Sequence, residues 1–170
     1  MNFSNKKLTK VINVCMKEFD SVKEKTLCIL NLQGKDIKLQ DVQKIHKILI
    51  REIERGYEYL IVERALLETE LYDYIRDYKT KNLHLKIICV LGCDCEGVEE
   101  KNYKENFSLV NVFWTDGCNG KEKSMETKIA YMLNNSSTCL LLFNEFTKCV
   151  GSVIKIAENK GIKIVIINKI

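Results

Sequence analysis

Four acidic residues follow short apolar runs of the chain and are the candidate catalytic groups. A positioned carboxylate can stabilise developing positive charge or activate water. No surrounding motif selects one of the four above the others. These candidates are Glu63, Glu68, Asp94 and Asp116.

A second group of residues could hold an anion. Gly151 and Ser152 are expected at the start of a helix, where free backbone amides and a capping hydroxyl bind phosphate. Simple capping of that helix explains Ser152 equally well. Gly34 lies in a turn after the first apolar run, Asn144 directly follows the fifth, and Lys128 lies on the helix before it. All five residues are candidate ligand-binding groups.

The cysteines do not form a convincing metal motif. Zinc sites usually pair thiolates across gaps of about two to four residues, twice over, whereas this chain offers a single Cys93-Asp94-Cys95. Cys28, Cys89 and Cys139 lie inside apolar runs, as reduced cysteines do when they serve as small hydrophobic residues. We therefore expect no metal, mostly free thiols and a reducing, cytoplasmic environment.

The composition favours one globular domain. The chain has 170 residues, of which 46% are hydrophobic and 29% charged, and this hydrophobic share excludes wholesale disorder. Charges interrupt every apolar run before the roughly 18–20 residues that a membrane span needs, and the basic start lacks the apolar block of a secretory signal. The net charge of +4 is mild and scattered, which argues against a nucleic-acid partner.

Apolar spacing predicts strands that alternate with helices. Residues 1–25 are predicted to form an amphipathic N-terminal helix, because apolar residues recur at spacings of three and four. Six apolar runs rich in β-branched residues predict strands at Thr26–Leu32, Tyr59–Val62, Leu85–Leu91, Leu109–Trp114, Thr138–Phe143 and Ile162–Asn168. Helices are predicted at Leu39–Arg55, Arg64–Tyr78, Ser124–Leu133 and Ser152–Asn159.

This alternation predicts a single α/β domain over residues 26–170. We expect a doubly wound, mainly parallel, six-stranded Rossmann-like sheet with helices on both faces, and the N-terminal helix as an addition. Ligands of such sheets lie beyond the carboxyl ends of the strands, near the point where the strand order reverses. The candidate residues above follow predicted strands, or begin or line the neighbouring helices.

The last third of the chain carries a family resemblance. The run from Lys128 to Ser137, the Leu140–Phe143 strand and the stretch from Gly151 to Ile162 resemble the end of a SLOG-type Rossmann domain. Within that group the chain most resembles the YpsA-like (DUF1273) branch, which is related to the DprA and the LOG (lysine decarboxylase-like) proteins. Glu54–Ile61 resembles the run into the second strand of these domains. The similarity covers about residues 26–170.

The resemblance implies a nucleotide-phosphate pocket, and its departures imply that the pocket is eroded. The family's Gly-Gly-Thr helix start is Val150-Gly151-Ser152 here, and its Arg-Asn pair is Lys128-Ile129. We therefore expect a degenerate domain that binds a nucleotide or nucleotide derivative without a further cofactor, as a sensor or interaction module rather than an enzyme. The alternative is an N-glycosidic-bond hydrolase or transferase acting on nucleoside monophosphates. A third hypothesis makes the N-terminal helix the contact to a second copy or another protein.

Overall fold

The computed structural model describes residues 22–32, 37, 39–63, 66, 69–81, 84–91, 109–112 and 121–168. A 3₁₀ turn at Lys23–Lys25 leads into the first strand. The strands are β1 (Thr26–Asn31), β2 (Tyr59–Glu63), β3 (Lys86–Leu91), β4 (Leu109–Val112), β5 (Thr138–Phe143) and β6 (Lys163–Asn168). The longer helices are α1 (Leu39–Glu54), α2 (Leu71–Lys81), α3 (Lys121–Asn134) and α4 (Lys148–Asn159).

The described strands form one sheet in the order β4-β3-β2-β1-β5-β6, and every neighbouring pair is parallel. All residues of β1 and β5 are buried, which explains why their sequences are apolar almost without alternation. The predictions of an α/β protein and of a parallel sheet are confirmed. The order reverses between β1 and β5, as it does in doubly wound sheets.

Helices cover both faces of this sheet. On one face α1 and α2 bury an apolar stripe against alternate strand residues, among them Leu27 and Ile29 of β1. On the other face α3 and α4 pack against the residues between them, including Cys28 and Leu30. Because side chains alternate across a strand, each central strand contributes to both cores.

Glycine ends α1 where the sequence predicts it. Gly56, with φ of 102°, follows the helix and donates its amide to the carbonyl of Ile53 at 2.9 Å. Glycine reaches this left-handed conformation without the steric cost that a side chain brings. The predicted helix Leu39–Arg55 is therefore confirmed to within one residue.

The predicted single helix Arg64–Tyr78 is wrong, because a bend at Thr69 and Glu70 precedes α2. The hydroxyl of Thr69 donates to the carbonyl of Leu66 at 2.6 Å and accepts from the amide of Leu71 at 3.3 Å. A threonine side chain that binds nearby backbone in this way competes with helical hydrogen bonds. The bend is thus built by local chemistry that apolar spacing does not reveal.

The predicted N-terminal helix lies outside the described residues, except for residues 22–25. Val22 is half-buried against the core under α3 and α4, and its carbonyl accepts hydrogen bonds from the Lys25 amide and the Thr26 hydroxyl. Within the described part of the chain, no helix has the length and apolar content that crossing a membrane requires.

Candidate functional site

The strand order reverses between β1 and β5, and in doubly wound sheets the carboxyl ends of the strands at this point form the ligand-binding crevice. The two strands stay paired to that edge, where the amide of Leu32 donates to the carbonyl of Leu142 at 2.8 Å. The chain leaves β1 toward α1 on one face and leaves β5 toward α4 on the other. In doubly wound sheets this divergence opens the space in which ligands bind.

A buried ion pair stands at this edge of the sheet. Glu63 is the last residue of β2, and its Oε2 atom lies 2.5 Å from the Nζ atom of Lys128 on α3. The side chain of Glu63 is 8% exposed and that of Lys128 is 20% exposed. Glu63 shares a strand face with Ile61, which packs beneath α3, so period-two alternation aims the carboxylate at the lysine.

The second oxygen of this carboxylate is also occupied. Oε1 of Glu63 accepts the backbone amide of Asn31, the last residue of β1, at 3.2 Å. Glu63 therefore connects the ends of β1 and β2 to α3. Of the four predicted catalytic carboxylates, Glu63 is the one that the structure describes. Glu68, Asp94 and Asp116 lie outside the described residues.

The last helix begins earlier than the sequence analysis predicts. Helix α4 starts at Lys148, and Thr147 is its N-cap, with extended backbone and a side-chain oxygen that accepts the amide of Val150 at 3.3 Å. The predicted start at Ser152 is therefore wrong. Threonine is a favoured N-cap because its oxygen satisfies an amide that has no helical partner. The sequence signal for this start is Thr147 itself, the first hydroxyl residue after the β5 run.

Gly151 and Ser152 consequently lie inside the helix rather than at its opening. The hydroxyl of Ser152 donates to the carbonyl of Lys148 one turn earlier, at 3.0 Å. A Cβ atom placed on Gly151 would meet the ring of Phe146 at 3.5 Å, so the protein's own side chain covers this glycine. The phosphate cradle predicted at these two residues is corrected: the opening amides of α4 belong to the turn that Thr147 caps.

Phe146 is a residue of this edge that the sequence analysis did not select. It is 71% exposed, and its ring meets that of Phe143 edge-on, with centroids 6.2 Å apart and planes at 81°. Edge-to-face geometry is a favourable arrangement for aromatic rings. Its sequence signal was only an aromatic residue within a polar loop. Asn144, predicted as a ligand-binding residue, is exposed directly after β5 in the same loop.

The structure thus brings Glu63 and Lys128 into contact and places Asn144 at the same edge of the sheet. Gly34, the remaining predicted ligand-binding residue, lies outside the described residues. No group of three or more residues suited to a metal ion is found in the described ranges. The prediction that no metal is bound stays a prediction.

Two thiols lie side by side in the core beneath the site. Cys28 and Cys139 face each other across the paired strands β1 and β5, and both are fully buried and free. The hydrogen bond with Cys28, together with burial, raises the pKa of the Cys139 thiol. Because thiolates are the reactive form, Cys139 acts here as a small hydrophobic residue.

A scan against protein-family models, a search of curated proteins and a search of solved structures each found no match to this chain. The resemblance to SLOG-type domains therefore stays a prediction that rests on the residues quoted above.

Proposed function

We propose that this chain is a non-catalytic domain that binds a nucleotide or nucleotide derivative in the crevice at the carboxyl edge of a Rossmann-like sheet. The observation that carries the proposal is the opening of α4 at the reversal of strand order. The first turn of this helix contains Lys148 and no acidic residue. Such a helix start presents the positive end of the helix dipole to a phosphate.

Two side chains at this edge suit the rest of such a ligand. The side chain of Lys128, which is 20% exposed, holds its ammonium group at this edge in the ion pair with Glu63. The exposed ring of Phe146 precedes α4 by two residues and supplies a flat apolar surface. Stacking of a base on an aromatic side chain contributes about 1–3 kcal/mol. The helix start, the lysine and the aromatic ring together suit the anionic phosphate and the planar base of a nucleotide.

The state of Glu63 favours binding over catalysis. Both of its oxygens accept hydrogen bonds from the protein, one from Lys128 and one from the amide of Asn31. A general base must lie within hydrogen-bond reach of the proton that it removes, and these two donors hold the Glu63 carboxylate toward β1 and α3. We therefore assign Glu63 to the architecture of the crevice.

Thermal unfolding with a panel of nucleoside monophosphates, dinucleotides and nucleotide sugars tests this proposal. A ligand at about 100 times its Kd stabilises the fold by about 2.7 kcal/mol, which is a visible shift in Tm. Phe146→Ala should weaken the shift, whereas Ile156→Ala, a partly exposed apolar position of α4, should not. If no phosphate-bearing ligand raises Tm at millimolar concentration, the proposal is wrong.

The second candidate is hydrolysis or transfer at the N-glycosidic bond of a nucleoside monophosphate. It is favoured by one observation, the placement of a buried carboxylate, Glu63, at the carboxyl end of β2. Release of free base from the same panel, measured by chromatography, would support it if Glu63→Gln abolished the release. Binding without release of base supports the non-catalytic domain.

A further inference from the structure

One buried carboxylate oxygen lacks a partner. Among the described residues, Oδ2 of Asp41 is the buried side-chain atom that has no hydrogen bond, and Asp41 is 2% exposed. A buried acceptor without a donor costs about 1–3 kcal/mol, and more when it is charged. Such a group calls for an explanation, and a bound molecule is one.

The fold places Asp41 at the carboxyl edge of the sheet. Asp41 lies in the first turn of α1, which follows β1 across the crevice edge. Glu52 lies eleven residues later, about three turns along and on the same side of the helix. That residue contacts Lys163, the first residue of β6, through an ion pair of 3.1 Å. Eleven helical residues and the six residues of β6 both span about 16 Å, so Asp41 lies level with the other end of β6.

Two helix starts therefore flank the reversal of strand order, and they differ in charge. The first turn of α4 has no acidic residue, whereas the first turn of α1 contains Asp41. A buried carboxylate at the start of α1 repels phosphate, although helix starts attract it otherwise. The group that suits Asp41 is a hydrogen-bond donor without negative charge.

From these observations we infer that Asp41 accepts a hydrogen bond from a ribose hydroxyl of the bound nucleotide, whose phosphate lies at the start of α4. This inference rests on the proposed function and deepens it. It assigns the ligand class as ribonucleotides with a free sugar hydroxyl, in preference to deoxynucleotides. It also excludes a pyrophosphate at the start of α1.

The contact forms as the ligand binds. The Oδ2 atom of Asp41 is closed off in this structure, so the proposed contact requires a change of rotamer at this edge, as is common in binding sites. An internal water molecule is the other occupant that could satisfy the oxygen. The two occupants predict different ligand affinities. If a structural water binds Asp41, the affinity for a nucleotide does not depend on its sugar hydroxyls.

Calorimetric titration separates these outcomes. The probes are the nucleoside monophosphate that gives the largest Tm shift, its 2′-deoxy and 3′-deoxy analogues, and ribose 5-phosphate. We expect loss of the relevant hydroxyl to weaken binding by about tenfold or more, the value of a hydrogen bond to a charged group. Asp41→Asn should reduce that preference to about threefold or less, whereas Asp73→Asn, at an exposed position on α2, should leave it unchanged.

Each result decides between the two proposals. If nucleotides bind but both deoxy analogues bind as well as the parent, the inference about Asp41 is wrong and the proposed function stands. A hydroxyl preference that survives in Asp41→Asn also overturns the inference. If no nucleotide binds the unmodified protein, both proposals fail. The comparison of ligands uses the unaltered chain, so the test does not depend on the folding of a variant.

Discussion

At the scale of single residues, Glu63 and Lys128 form an ion pair at the carboxyl edge of the sheet. Their charged atoms are 2.5 Å apart, and both side chains are largely withdrawn from water. Ion pairs of this kind gain attraction in a poorly solvated site but lose hydration of both charges, so their net value is small. Removal of one partner is costly, because the other charge is left unpaired.

Lys128→Met should lower the free energy of unfolding by about 1–3 kcal/mol, because Glu63 then keeps only the amide of Asn31 as a partner. The expected loss is below that of a fully buried pair, since Lys128 is 20% exposed. Urea unfolding measures the change.

Lys155→Met, at an exposed position of α4, is the matched control and should alter stability little. A double-mutant cycle with Glu63→Gln isolates the interaction from the loss of the individual side chains. Coupling near zero between the two positions would contradict the importance of the pair.

At the scale of elements, the start of α4 determines which backbone amides lie at the carboxyl edge of the sheet. Apolar spacing and a Gly-Ser pair predicted Ser152 as the first residue, but four further residues precede it in the helix. The ring of Phe146 packs edge-on against that of Phe143 in the loop before Thr147. Sequence spacing cannot show this contact, since it depends on where β5 ends relative to the helix.

Thr147→Ala and Ser152→Ala should differ in their effects. Thr147 caps the helix through the amide of Val150, so its loss should cost about 1 kcal/mol. The hydroxyl of Ser152 donates to a carbonyl within the helix, and alanine is the better helix former, so Ser152→Ala should be neutral or slightly stabilising. Thermal unfolding of both variants measures the difference, and a larger loss in Ser152→Ala would restore the helix start predicted from sequence.

At the scale of the whole molecule, a buried carboxylate connects the end of α1 to the start of β6. Glu52, near the end of α1, is 1% exposed and contacts three half-exposed cations. One oxygen accepts from Arg51 and Arg55, and the other accepts from Lys163 at the start of β6. Burial tends to raise the pKa of Glu52, but the hydrogen bonds from Lys163, Arg51 and Arg55 prevail and lower it.

A lowered pKa in the folded state makes Glu52 a source of acid sensitivity. The contribution of Glu52 to the free energy of unfolding is fully present above its ordinary pKa of 4.5. That contribution is lost as the pH falls through the lowered pKa that Glu52 has in the folded protein. We expect Glu52→Gln to reduce the free energy of unfolding by about 1–3 kcal/mol at pH 7. The gap between the variant and the unmodified protein should narrow steadily below pH 4.5.

Urea unfolding at a series of pH values checks this expectation. Glu54→Gln, at an exposed position two residues along the same helix, is the control and should follow the unmodified protein across the series. If the difference in free energy of unfolding between Glu52→Gln and the unmodified protein stays constant down to pH 3, the negative charge of Glu52 does not stabilise its contact with Lys163.

The amino-acid sequence by itself determined the class of fold. Strands such as β1 and β5 are buried on both faces, so their apolar runs are continuous and can be recognised without neighbours. Gly56 ends α1 for a reason that is equally local, its positive φ. Glu63 was selected from sequence because residues at the ends of parallel strands share one edge.

Only the tertiary structure decided what these residues do at that edge. Glu63 binds Lys128 of α3, which is 65 residues away in the chain. Glu52 binds Lys163 of β6, which is 111 residues away. Neither Asp41 nor Phe146 lies in a recognisable motif. Asp41 is identified by a buried oxygen without a partner, and Phe146 by its exposed ring at the carboxyl edge of the sheet. Such contacts depend on the packing of helices onto a sheet, whereas local spacing reports only which face of an element is apolar.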